Sequence, residues 1–391
     1  MPNLSKVEIS EQKNQPAPPA LQELRRRMFD PDIATLTNRT VELVFETRRV
    51  ENGQDVWELP YALTEPDFTY DYAGKTWNAA DFYENTATDA LIILKDGAIV
   101  CEKYFNMVQP HTHWISYSMG KSFSAMMLGA ALKGGLVKSI EEPIDRYIPE
   151  LKGSAYEGMA IRHVLQMRSG TDWVDYPYDP GPARDIQDAA FMQNVERFYT
   201  PTFTATKKHE PGEVFNYNTL ESSLISLLCA RVSGKTFSEF MSEKLWKPAG
   251  MESYGFFVLD GPPDVGFEFT GGGFNAVPRD YARAGQMMLN GGVANGHRIM
   301  DEDYARACGV PGSSDTCEWN PGYNYGYQFW TLDGTNAFTA IGGGGQWIFI
   351  DPDTQTVLVK LSHTPGTMPE HQETADETHA FLLAASAWSP A

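Results

Sequence analysis

The chain has 391 residues, 42% of them hydrophobic and 12% aromatic, enough for a large core in one elaborate domain or two interleaved ones. Lys+Arg 31 against Asp+Glu 51 gives a formal net charge of -20, which repels phosphate backbones and anionic membrane surfaces and argues against a nucleic-acid partner. Residues 1–21 are polar and Pro-bearing, unlike a signal peptide, and no stretch is apolar for the length of a bilayer span; the default expectation is a soluble cytoplasmic protein with no membrane partner.

Residues 1–19 read as a disordered or surface-draped leader, followed by a short helix over 21–28 whose Arg25-Arg26-Arg27 run is most simply a solvated face. From Ala90 the pattern changes to two apolar runs, 90–94 and 98–105, joined at Lys95-Asp96-Gly97, which predicts a hairpin with Gly97 at the left-handed position. The four cysteines, Cys101, Cys229, Cys308 and Cys317, have neither C-x-x-C spacing nor neighbouring histidines and read as reduced thiols.

Ser118-Met119-Gly120-Lys121 opens a strong helix former over 122–133 that stops at Gly134-Gly135. Residues three apart at a helix start share a face, so an amine can reach the hydroxyl and turn an inert alcohol into a nucleophile. At a helix N-terminus the backbone N–H and the dipole also favour negative charge. Taken alone the motif is more often an exposed helix-start serine followed by a solvated lysine than a catalytic pair.

A helix is expected over 161–167, then a structured loop over 172–184 whose aromatics Trp173, Tyr176 and Tyr178 suit either the wall of a cleft or packing of the loop onto the body. Tyr217 falls at a loop-to-helix junction ahead of a helix over 220–232; a tyrosine there is usually structural. Gly271-Gly272-Gly273 precedes a well-patterned helix over 278–289. Strands are expected over 325–330, 337–340, 346–350 and 356–361, with Asp351-Pro352-Asp353 as a turn and a closing helix over 375–388. Strands near both ends with helices between them imply an α+β fold: one antiparallel sheet built from both termini, with a helical insertion. The expected division is a leader over 1–30, a sheet domain from 31–115 and 270–391, and a mainly helical domain over 116–269, with the site at their interface.

Together these pieces resemble the serine β-lactamase and penicillin-binding-protein superfamily, in its class C branch with the family VIII carboxylesterases and the 6-aminohexanoate-dimer hydrolases. Ser118-Met119-Gly120-Lys121 resembles its Ser-x-x-Lys motif, 163–170 its Leu-Leu-x-His-Thr-Ser-Gly segment, and Tyr217-Asn218-Thr219 its Tyr-x-Asn or Tyr-x-Ser motif. The segments 279–292 and 325–330 are similar to a family-typical helix and to its Tyr-Gly-x-Gly-Trp strand. Two features depart from the pattern. Thr219 stands where class C lactamases usually have Asn, and Ala340-Ile341-Gly342-Gly343-Gly344-Gly345-Gln346 replaces the Lys-Thr-Gly box whose cation helps hold a lactam carboxylate. Both argue against penicillin recognition, and the glycine-rich version resembles that of the esterases and the nylon-oligomer hydrolases.

The resemblance implies a catalytic set of Ser118 as nucleophile, Lys121 as base and Tyr217 as acid, with an oxyanion hole from the backbone N–H groups of Ser118 and Gly343. It implies substrate-binding roles for Trp173, Tyr176, Tyr178, Asn218, Thr219 and Gly344. No cofactor and no metal are implied; the partner is a small-molecule amide or ester, and the chain is compatible with a homodimer. The expected reaction is cleavage of a linear amide such as a 6-aminohexanoate oligomer through an acyl-enzyme. A carboxylesterase acting on short-chain esters would use the same site, and a non-catalytic binding protein that keeps the fold is the alternative of another class. His111-Thr112-His113 lacks a third ligand and reads as surface or packing residues, and Gly342 to Gly345 precedes a strand, whereas a phosphate cradle precedes a helix.

Overall fold

The computed structural model describes residues 16–28, 30–175, 180–313, 320–364 and 370–390. The expectations for Tyr176, Tyr178, Cys317 and residues 1–15 fall outside these. A seven-stranded antiparallel sheet runs in the order Tyr323–Tyr325, Trp330–Leu332, Phe338–Gly342, Gln346–Asp351, Thr356–Ser362, Thr88–Lys95, Ala98–Tyr104. The pairing of Thr356–Ser362 with Thr88–Lys95, in register Val359↔Ile92, joins the two ends of the chain into one sheet. Both faces are covered, which is why these strands read as continuous apolar runs.

The pleat sends alternate residues to two cores. Ile92, Leu94, Ile348, Ile350, Val357 and Val359 join the larger cluster with the helices Lys121–Lys133 and Pro278–Leu289. Leu91, Ile93, Trp347, Phe349 and Leu358 pack on the other face against Phe381, Leu382 and Ala385 of the C-terminal helix Glu370–Ala387. The hairpin at Asp96 and Gly97 forms as expected, with φ of 48° and 79°.

Lys121–Lys133 is buried along nearly its whole length, the signature of a central helix. It lies beside Thr219–Ser233, to which it is tied by a Ser124 to Ser226 hydroxyl contact of 2.9 Å. A smaller sheet, in the order Thr47–Val50, Gly255–Val258, Phe274–Ala276, Trp114–Ile115, delivers the chain to the residues just ahead of Ser118.

Two expectations are corrected. The predicted strand over 325–330 is two strands, because Gly326 N–H bonds to the Phe329 carbonyl at 2.8 Å and Gln328 takes a φ of 57°. Arg25 is not on a solvated face: it is 1% exposed and donates to the carbonyls of Val44, Phe191 and Met192 at 3.0, 3.2 and 3.3 Å. The end of the leader, expected as disordered or surface-draped, lies against the body, with Ala17 buried and its N–H bonded to the Gln193 carbonyl at 2.9 Å. His113 packs on the Tyr254 ring, with Nε2 2.7 Å from the Tyr254 carbonyl.

Candidate active site

Ser118 sits in the 3-10 turn Tyr117–Gly120 that feeds straight into the Lys121–Lys133 helix. The turn begins with Tyr117 at a φ of 45°, a left-handed conformation that costs an aromatic residue energy and must be held by its surroundings. The Tyr117 hydroxyl donates to Asn38 Oδ1 at 2.8 Å, and the Ser116 hydroxyl donates to the Tyr117 carbonyl at 2.9 Å. These bonds aim the Ser118 side chain at the cleft.

Lys121 Nζ lies 2.9 Å from Ser118 Oγ and donates to the Gly271 carbonyl at 2.7 Å. The side chain is 1% exposed, and burial disfavours its ammonium form, so its pKa falls from 10.5 to about 8; the Asp175 carboxylate pulls it partly back up. A solvated lysine would be almost wholly a cation near neutrality, whereas a pKa of about 8 leaves a fraction of Lys121 neutral and able to accept a proton from the hydroxyl. Asp175 accepts from both the N–H and the hydroxyl of Thr219, at 2.7 and 2.5 Å.

The Tyr217 ring centroid is 5.0 Å from Lys121 Nζ, stacked on Trp330 at 5.6 Å and edge-on to Tyr325 at 6.2 Å. Opposite Ser118, the Phe338–Gly342 strand ends against the nucleophile turn. A Cβ on Gly342 would meet the Ser116 carbonyl oxygen at 2.1 Å, so only glycine allows this approach. The approach brings Gly343 to the cavity that Ser118 also lines. Gln346, fully buried, holds the hairpin by donating to the Gly343 and Ser362 carbonyls at 3.1 and 2.8 Å.

A cavity of about 370 Å³ opens over the pair, within the size range of small-ligand sites. Among the described residues it is lined by Ser118, Lys121, Thr219 and Gly343 of the expected set, and not by Tyr217, Trp173, Asn218 or Gly344. Trp173 is half-buried and packs against an apolar cluster of which Val41, Phe191 and Phe269, among others, line the cavity, and its carbonyl accepts from Asn216 at 2.9 Å. Asn218 is fully buried; its Oδ1 caps the Thr219–Ser233 helix at Leu220 N–H, and its Nδ2 reaches Tyr156, Thr171 and Glu221. That is a structural post, set away from the cavity. Gly344 is a turn residue with φ of 70°, its carbonyl bonded to Thr364 N–H at 3.2 Å. Asp175, Tyr117 and Asn38 line the cavity and were not singled out by sequence.

The sequence profile of the family described as Beta-lactamase matches residues 79–383. The 6-aminohexanoate-dimer hydrolase of Paenarthrobacter ureafaciens is 29% identical over 300 residues, covering 74% of this chain and 76% of that protein. A Bacillus anthracis structure named as an inferred 6-aminohexanoate-dimer hydrolase superposes with a TM-score of 0.78 at 22% identity, covering 92% of this chain and 95% of the other. A family VIII carboxylesterase does so at 0.59 and 16%, over 78% and 94% of the two chains, and shares the fold. With a serine and a buried lysine in contact inside the matched region, the chain is a serine hydrolase of the Beta-lactamase family.

Proposed function

We propose that the protein cleaves linear amides, of the kind represented by 6-aminohexanoate oligomers, or the corresponding esters, through an acyl-enzyme on Ser118. The observation that carries this reading is the 2.9 Å contact between Ser118 Oγ and a buried Lys121 Nζ whose pKa is lowered to about 8. Ser118 Oγ attacks the carbonyl carbon and its proton passes to the neutral Lys121 amine. The oxyanion is held by the backbone N–H groups of Ser118 and Gly343, each such donor typically worth about 3 kcal/mol. The bond to the leaving amine or alcohol then breaks as Tyr217 gives that group a proton and recovers one from Lys121. Water attacks the ester on Ser118 by the reverse proton path and frees the acid.

The linear-amide assignment is supported by the name of the relative at 29% identity, and by the glycine-rich segment 340–346, which has no Lys-Thr-Gly box. The test is a panel of linear amides, D-amino-acid amides, short esters and a chromogenic cephalosporin, assayed with wild type and Ser118→Ala. The expected result is Ser118-dependent turnover of linear amides or esters and little of the cephalosporin. Preferred hydrolysis of the cephalosporin would overturn the assignment.

A further inference from the structure

Asn38 stands ahead of residues 79–383, the stretch that matches the family, yet it is 2% exposed and lines the cavity into which Ser118 opens. The short helix Ala34–Thr37 delivers it, and the Asn38 N–H closes that helix on the Ala34 carbonyl at 2.9 Å. Its other polar groups all reach out of the segment. The Asn38 carbonyl accepts from Ile115 N–H at 3.0 Å, in the strand that leads into the nucleophile turn. Oδ1 accepts from the Tyr117 hydroxyl at 2.8 Å, and Nδ2 donates to the Ser362 carbonyl at 3.3 Å.

These contacts join the two halves of the site. On one side, Tyr117 is the residue just before Ser118 and holds a φ of 45°, a conformation that persists only where the surroundings over-determine it. On the other, the Ser362 carbonyl also accepts from Gln346 Nε2 at 2.8 Å, the same nitrogen that donates to the Gly343 carbonyl at 3.1 Å. Asn38 and Gln346 therefore meet on one carbonyl. A path of bonded groups runs from Tyr117 through Asn38, Ser362 and Gln346 to Gly343.

We propose that Asn38 is a positioning residue that sets the nucleophile turn against the glycine-rich hairpin, so that the N-terminal segment carrying it completes the active site. The proposal rests on the acyl-enzyme reading above, in which the backbone N–H groups of Ser118 and Gly343 receive the oxyanion. Two donors serve one oxygen only at a fixed separation, and the hairpin glycines have no side chains with which to hold it. Asn38 acts through Tyr117 and Ser362, with no contact to the reacting atoms.

Tyr117→Phe keeps the ring and loses the hydroxyl, whereas Asn38→Leu keeps the volume and loses both side-chain bonds. The rate of fluorophosphonate labelling at Ser118 and the turnover of 4-nitrophenyl acetate, a substrate with little acyl chain to bind, are read in wild type, both single variants and the double variant. Thermal unfolding is the folding control. Tyr117→Phe should slow both reactions roughly fivefold, the loss of one hydrogen bond. Asn38→Leu should slow them by roughly tenfold or more, in kcat with KM little changed. Labelling should still run to completion, which separates a misaligned site from an unfolded fraction. Both substitutions break the same contact, so the double variant should lose clearly less than the product of the single losses. Wild-type rates in either folded variant, a loss confined to KM, or losses that multiply overturn the proposal. Should Asn38→Leu fail to fold, the labelling rate of Tyr117→Phe decides alone. If wild type is labelled at Ser118 and the variants keep its rate, this proposal fails alone. If wild type carries no adduct on Ser118, the acyl-enzyme reading fails with it.

Discussion

Gln346 Nε2 donates to the Gly343 carbonyl at 3.1 Å while its Oε1 accepts from Trp114 Nε1 at 2.9 Å and from Ser362 N–H at 3.1 Å. One buried amide therefore ties the glycine-rich hairpin to the strand that carries the chain into the nucleophile turn. The oxyanion donor assigned to Gly343 depends on that bracing, because a glycine run has no side chains to fix its own position.

Gln346→Leu keeps the volume and removes the bonds. It is expected to lower kcat on an activated ester roughly tenfold to a hundredfold with little change in KM, the cost of displacing a preorganised donor. Steady-state kinetics with thermal unfolding as a folding control checks this; a wild-type kcat in a folded variant would remove Gln346 from the mechanism.

In the proposed mechanism Lys121 sets the pH dependence. Its active form is the neutral amine and its pKa is lowered to about 8 by burial, so protonation on the acid side switches the base off. The expected kcat/KM profile is level above that value and falls about tenfold per pH unit below it. A profile flat across this range would show that a group other than Lys121 takes the proton.

Asp175 raises the Lys121 pKa against the pull of burial. Asp175→Asn keeps an oxygen that can accept from Thr219 but removes the charge, so the acid limb of kcat/KM should move to lower pH. A limb that moves to higher pH, or stays in place, would contradict the electrostatic role given to Asp175.

Tyr217→Phe should slow cleavage of a linear amide more than cleavage of a nitrophenyl ester, because nitrophenolate leaves without needing a proton. The ring stacked on Trp330 is retained, so the fold should hold. Equal losses on both substrates would take the general-acid role away from Tyr217.

Much of the fold was legible because the central strands are buried on both faces and read as unbroken apolar runs, as in 90–94 and 356–361. The segment 325–330 misled because its aromatics suit a strand, while the chain there turns so that Gln328 can donate to the Val164 and Leu165 carbonyls and accept from Ser222. Arg25 was read as solvated for a similar reason. Its acceptors at Phe191 and Met192 lie 166 and 167 residues away, beyond the reach of any local pattern. Ser118 and Lys121 were visible as a spacing. Asp175 was not: a carboxylate in a loop rich in Tyr, Pro and Asp carries no mark of the lysine it will face.

The central claim is that Ser118 becomes acylated. Intact-mass measurement after exposure to a fluorophosphonate, and after rapid quench of a slow ester, should give a single adduct on the wild-type protein, mapped by peptide digestion to Ser118. Ser118→Ala should give none and should lose turnover while unfolding at a similar temperature. An adduct on another residue, or full turnover by Ser118→Ala, would contradict the account.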